Sequence, residues 1–187
     1  MLRRIFIINF TLLLLIVTLP VSAQYSEDDR SNKIKAAFAL NLARFIIWPV
    51  DATAESDQMT LCLFENKFLG LATDSIVGQE IAGQTLAVNY RLDVETVKSC
   101  QIIFITGEKF SKFTESYPNI AQQPTLIIVD NTAFNEFSIE SSLAMVSLNR
   151  KGGSIVFDIN LLQVEAAKLK MSSKLLKLAR NVYTDDR

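Results

Sequence analysis

The sequence predicts a single three-layer α/β domain. A mixed, partly parallel sheet carries helices on both faces and ends in a C-terminal β-hairpin plus helix. Three observations predict it. Strand-length apolar runs alternate with helical patterns through the middle of the chain. Gln101-Ile102-Ile103-Phe104-Ile105-Thr106 is continuously apolar at its centre, as central parallel strands buried on both faces are. Near the end, two apolar segments flank a short loop containing Gly152-Gly153, which marks an antiparallel hairpin.

Taken in order, the chain opens on Met1-Leu2-Arg3-Arg4, a short basic stretch, followed by an apolar run over 5–19. Pro20 breaks the run, and Val21-Ser22-Ala23 has the small-x-small pattern of a cleavage site. Residues 1–23 therefore read as a Sec signal peptide. The run falls short of the roughly 20 residues that span a bilayer as a helix. No cysteine follows the cut, so the reading is an exported periplasmic protein and not a lipoprotein. Removing Arg3 and Arg4 leaves 17 basic residues against 20 acidic ones, a net charge of −3. An acidic surface attracts neither nucleic acid nor anionic lipid, so neither partner is expected, nor is membrane insertion after cleavage.

Residues 24–32 are polar and charged and read as a flexible leader. The domain itself is expected over 33–183. Ile34, Phe38, Leu42 and Phe45 recur at helical spacing, so 33–47 is a helix, capped by Ser31 or Asn32 and stopped at Trp48-Pro49. A loop follows over 51–57. Residues 59–64 form a buried strand, 66–75 a short helix, 85–90 a second strand and 94–99 a turn or short helix. The strand 101–106 leads to a helix over 109–117, ended by Pro118, and then to a strand over 125–129. The hairpin joins 143–148 to 154–159, with Ile155, Phe157 and Ile159 on one face. One or two helical turns over 161–167 precede a last helix, capped by Ser172, with Leu175, Leu176, Ala179 and Val182 apolar.

Cys62 and Cys100 are the only cysteines. An even count in an exported chain predicts a disulfide, the alternative being two buried thiols. Two cysteines without any histidine cannot furnish a usual zinc site, so no metal is expected. The absence of histidine also removes the commonest general base. No Gly-x-Gly-x-x-Gly, P-loop or Ser-x-x-Lys pattern occurs, and no cofactor or catalytic residue is assigned. Thr106-Gly107-Glu108-Lys109 follows a strand and opens a helix, but one glycine there reads as an ordinary turn. Trp48 reads either as a core residue or as the aromatic wall of a pocket. Lys33, Lys35 and Arg44 read either as a solvated helix surface or as a basic face.

Three blocks carry a resemblance. The first is Lys33, Lys35, Ala36, Ala37, Phe38, Asn41, Phe45, Trp48 and Pro49. The second is Gly152, Gly153, Phe157, Ile159 and Asn160. The third is Ser172-Ser173-Lys174-Leu175-Leu176-Lys177-Leu178-Ala179. In this order, behind an export signal, they resemble the YfiR/HmsC-like family of bacterial periplasmic proteins. The resemblance implies a single α/β domain that acts by protein–protein interaction. It implies a soluble repressor that binds the periplasmic part of a membrane diguanylate cyclase, linking it to cyclic di-GMP signalling and biofilm growth. Some members carry two disulfides, whereas this chain has cysteines for one. Lys35, Phe38, Arg44, Phe45, Trp48 and Pro49 are the expected contact region, because an aromatic anchor is a common interface hot spot. A homodimer is a further expected association. Two other classes stay open: a small-molecule sensor, and an envelope assembly protein without catalytic activity.

Overall fold

The computed structural model describes residues 22–50, 56–64, 69–93, 95–133 and 137–184. The chain forms two compact units, residues 1–31 and residues 32–187. Most of the first unit, including residues 1–21 of the expected signal segment, lies outside the described residues. Its described part is the opening of helix α1 (Ser22–Arg44), which begins well before the expected start at residue 33. No Gly or Pro lies between Ala23 and Trp48, so nothing in the leader interrupts helical geometry.

The second unit is built on an eight-stranded mixed sheet. Its strands are β2 (Gln58–Leu63), β3 (Glu80–Ile81), β4 (Gln84–Asn89), β5 (Ile102–Thr106), β6 (Leu126–Asp130), β7 (Val146–Lys151), β8 (Ser154–Asn160) and β10 (Asn181–Tyr183). They lie in the order β10-β8-β7-β6-β5-β2-β4-β3. Neighbours from β4 through β7 are parallel, and β8 returns antiparallel to β7. A separate two-stranded ladder pairs β1 (Ile46–Ile47) antiparallel with β9 (Lys170–Met171). The helices between strands are α2 (Phe110–Ser116), α3 (Leu161–Ala166) and α4 (Ser173–Leu176).

The period-two alternation of the central strands divides the core. Leu61, Leu63, Ile102, Phe104, Leu126 and Ile128 pack with Ala36, Ala39, Leu40 and Ala43 of α1. Cys62, Ile103, Ile105, Ile127 and Val129 face the other way, onto Phe110 and Phe113 of α2. Both faces of β5 and β6 are thus covered, which is why their sequences are apolar throughout. The three-layer α/β domain with its C-terminal hairpin is the architecture observed.

The hairpin turn is tighter than the loop expected over 149–153. Lys151 pairs with Ser154, leaving two turn residues, and Gly152 takes φ +59°. Positive φ at the first turn position is what a right-twisted two-residue hairpin needs, and glycine adopts it without a Cβ penalty. The Cys62–Cys100 disulfide is formed, with Cα atoms 5.8 Å apart.

Three expectations are corrected. Helix α1 ends at Arg44, and Ile46–Ile47 is a strand; two β-branched residues before Trp48-Pro49 favour extended backbone. The short helix expected over 66–75 is a 3₁₀ segment, Gly70–Ser75, its residues 66–68 lying outside the described residues. The last helix does not reach Val182. It stops at Leu176, and Asn181–Tyr183 adds a parallel strand beside β8. The Arg180 N–H donates to the Phe157 carbonyl at 2.8 Å, which starts that pairing.

Candidate functional site

An apolar groove of about 360 Å³ lies where α1 meets α4. Ile34, Phe38, Phe45, Phe157, Leu175 and Leu178 supply most of its lining. Helical spacing puts Ile34, Phe38 and Phe45 on one side of α1 and its end. Phe157 rises from β8 beneath them, its ring 6.1 Å from that of Phe38 in an edge-to-face contact.

The opposite wall is held by the small ladder. Ile46 pairs with Met171, and Ser172 N–H donates to the Phe45 carbonyl at 3.0 Å. The Ser172 hydroxyl accepts from the Lys174 N–H and starts α4. This fixes Leu175 and Leu178 across from Phe38. Ile34 is 40% and Leu178 68% exposed, so the groove opens to solvent. Lys174 and Lys177 are exposed beside these leucines. All three blocks that carry the family resemblance therefore converge on one surface: the first through Phe38 and Phe45, the second through Phe157, the third through Leu175 and Leu178.

Of the six expected contact residues, the structure brings only Phe38 and Phe45 into this groove. Trp48 is 9% exposed and packs in the core. Its indole N–H donates to the Ala43 carbonyl at 3.3 Å, satisfying a backbone acceptor at the end of α1. Pro49 is half-buried beside it. Lys35 forms an ion pair of 2.8 Å with Asp130, both side chains nearly buried. Arg44 reaches the Glu80 carbonyl with Nε at 3.0 Å and the Gln79 side chain with Nη2 at 3.2 Å. Lys35 and Arg44 thus tether α1 to the sheet at β6 and β3.

Sequence reasoning missed Ile34, Phe157, Leu175 and Leu178 as groove residues. Leu178 offered a signal, since at three residues from Leu175 and four from Val182 it falls on the apolar face of the helix expected there. Among the described residues, no group of three cysteines or carboxylates could hold a metal ion, and no helix is long and apolar enough to cross a membrane.

A comparison with curated proteins finds no match for this chain. Residues 32–180 match a known family, a span that includes α1's core-facing part, the hairpin, α4 and every residue of the groove. By that match, the chain belongs to the YfiR/HmsC-like family.

Proposed function

We propose that this chain is a periplasmic regulator that holds a membrane diguanylate cyclase inactive by binding the enzyme's periplasmic part through the groove between α1 and α4. The family to which the chain belongs is one of periplasmic regulators and is not a catalytic family. The convergence of the three family blocks on one open apolar groove carries the reading. The exposed Lys174 and Lys177 at its edge select a partner segment with apolar side chains flanked by carboxylates. Binding acts as a population shift. A regulator that prefers the inactive cyclase by roughly 5.5 kcal/mol swings a 1:99 balance to 99:1.

Leu178→Glu tests it, because Leu178 is largely exposed and its replacement leaves the core intact. Deleting the gene in its host should raise cellular cyclic di-GMP. Exported wild-type protein should reverse the rise, and Leu178→Glu, secreted at equal level, should not. No rise on deletion overturns the cyclase reading. Full reversal by Leu178→Glu overturns the groove.

A further inference from the structure

A second cavity, of about 370 Å³, opens at the β10 end of the sheet, and its character is polar. Its lining includes Asn131, Ser147, Asn149, Arg150, Asp158 and Arg180. Strand register explains the clustering. Ser147 pairs with Asp158 across the hairpin, and Asn149 lies two positions along the same face of β7. The polar residues alternate with Val146, Leu148, Phe157 and Ile159, which fill the core on the other face.

Asp158 is nearly buried and fully used. It accepts from Arg180 Nε at 2.9 Å and from Arg180 Nη2, from Asn149 Nδ2 at 3.1 Å, and from Asn181 Nδ2 at 3.0 Å. The Arg180 guanidinium is pushed above its ordinary value by that hydrogen bond, against the opposing effect of burial.

These contacts set the direction of two amides. An ionised carboxylate only accepts, so Asn149 must turn its NH₂ toward Asp158. Its Oδ1 then accepts from Asn131 Nδ2 at 2.9 Å. Asn131 is left with Oδ1 as a bare acceptor. Among the described residues, neither Asn131 Oδ1 nor Ser147 Oγ finds a hydrogen-bond partner, though Asn131 is 4% and Ser147 1% exposed. Two unpaired buried polar atoms at one cavity are unusual in a folded protein and call for an explanation.

The geometry points to a ligand site for a small carboxylic acid that also carries N–H or O–H donors, its donors meeting Asn131 Oδ1 and Ser147 Oγ and its carboxylate meeting Arg150 and Arg180. The charge balance of the lining selects an anion, since it holds two arginines and one carboxylate, and that carboxylate is saturated. Arg180 engages Asp158 through Nε and Nη2, which leaves the Nη1 edge of the fork for a second acceptor. Phe137 and Tyr183 complete the wall. The volume suits a molecule of small-metabolite size. Sugar acids and short peptides both present this chemistry, the first with hydroxyl donors and the second with amide donors.

The test is calorimetric titration and thermal shift of the exported protein with D-gluconate, D-glucuronate, N-acetylglycine and the dipeptide Gly-Ala. D-glucose lacks the carboxylate and acetate lacks the donors, so they serve as controls. At least one of the four acids should bind and raise the melting temperature, and neither control should. Binding confined to the sugar acids or to the peptides identifies which donor is read. Ser147→Ala and Arg150→Gln should each weaken binding about tenfold, the worth of one good hydrogen bond or charge-assisted contact. Ser147→Ala alone should melt no lower than the wild type, because it removes an unpaired hydroxyl. Arg150 is exposed, so Arg150→Gln folds whatever Ser147→Ala does. Failure of all four acids, equal binding of a control, or unchanged affinity in either variant overturns the assignment. The outcome is independent of cyclic di-GMP levels and so of the groove.

Discussion

Lys35 was legible as a charged residue on a helix that otherwise packs inward, and its partner was not. Asp130 lies in a strand that reads as an apolar run, and only the fold brings the two within 2.8 Å. The pair is almost closed to solvent, so removing one member strands the other charge. Lys35→Ala should cost about 3 kcal/mol, read as a lower midpoint in urea denaturation. Asp93 makes a different prediction. Its carboxylate accepts from the Thr96 N–H at 2.8 Å, the Thr96 hydroxyl at 2.9 Å and the Glu95 N–H at 3.1 Å. These bonds, the Thr96 N–H first among them, hold its pKa below the ordinary carboxylate value. A depressed folded-state pKa contributes stability above the unfolded value and loses it as the pH falls through the folded one. Asp93→Asn should therefore flatten the fall in stability below about pH 4, measured by denaturation at stepped pH. Trp48 shows why residue type alone misleads. An indole is as useful for closing a helix end as for anchoring a partner, and the Ala43 carbonyl decides between them.

Among the elements, the apolar runs of β2, β5 and β6 were readable because strands covered on both faces need no alternation. β10 was not readable. Leu175, Leu176, Ala179 and Val182 have helical spacing, but the edge of β8 competes for the backbone from Arg180 onward, and a long-range ladder overrides a local period. The polar cavity hid for the opposite reason. Ser147, Asn149 and Asp158 look like solvent-facing positions of an ordinary hairpin until the segment around Ile139 and the returning tail cover that face. Two predictions belong to this scale. The Cys62–Cys100 bridge spans 38 residues and ties β2 to the entry of β5. Breaking it should remove about 4 kcal/mol by the chain-entropy relation. Melting should fall by about 10 °C, seen in scans with and without reductant. In the hairpin, Gly152→Ala should cost about 1–2 kcal/mol because φ is +59° there. Gly153→Ala meets nothing within 4 Å and carries no positive φ, so it should change stability by no more than about 0.5 kcal/mol.

For the molecule as a whole, the family and its fold were legible because blocks at both ends of the domain matched together. The location of the groove was not, since no local pattern says that Phe38, Phe157 and Leu178 meet. Trp48 and Pro49 lie outside that meeting point for a topological reason. The β1–β9 ladder folds the C-terminal segment of the chain back onto the end of α1, and the surface forms where they join. If the groove is the docking surface, deletion of β10 should weaken repression less than Leu178→Glu does, when both are compared by cyclic di-GMP content. The tail supports β8 from the side, whereas Leu178 lines the groove itself.

The ladder between Ile46–Ile47 and Lys170–Met171 also has a bearing on time. Its two halves lie far apart in the sequence, and closing so long a loop is slow compared with forming local helices. A chain cut short before residue 170 can still pair β2, β5 and β6 and form its disulfide, yet it presents no second wall. The second wall of the groove therefore exists only in a chain that has folded through its final segment, so the groove is complete only when folding is.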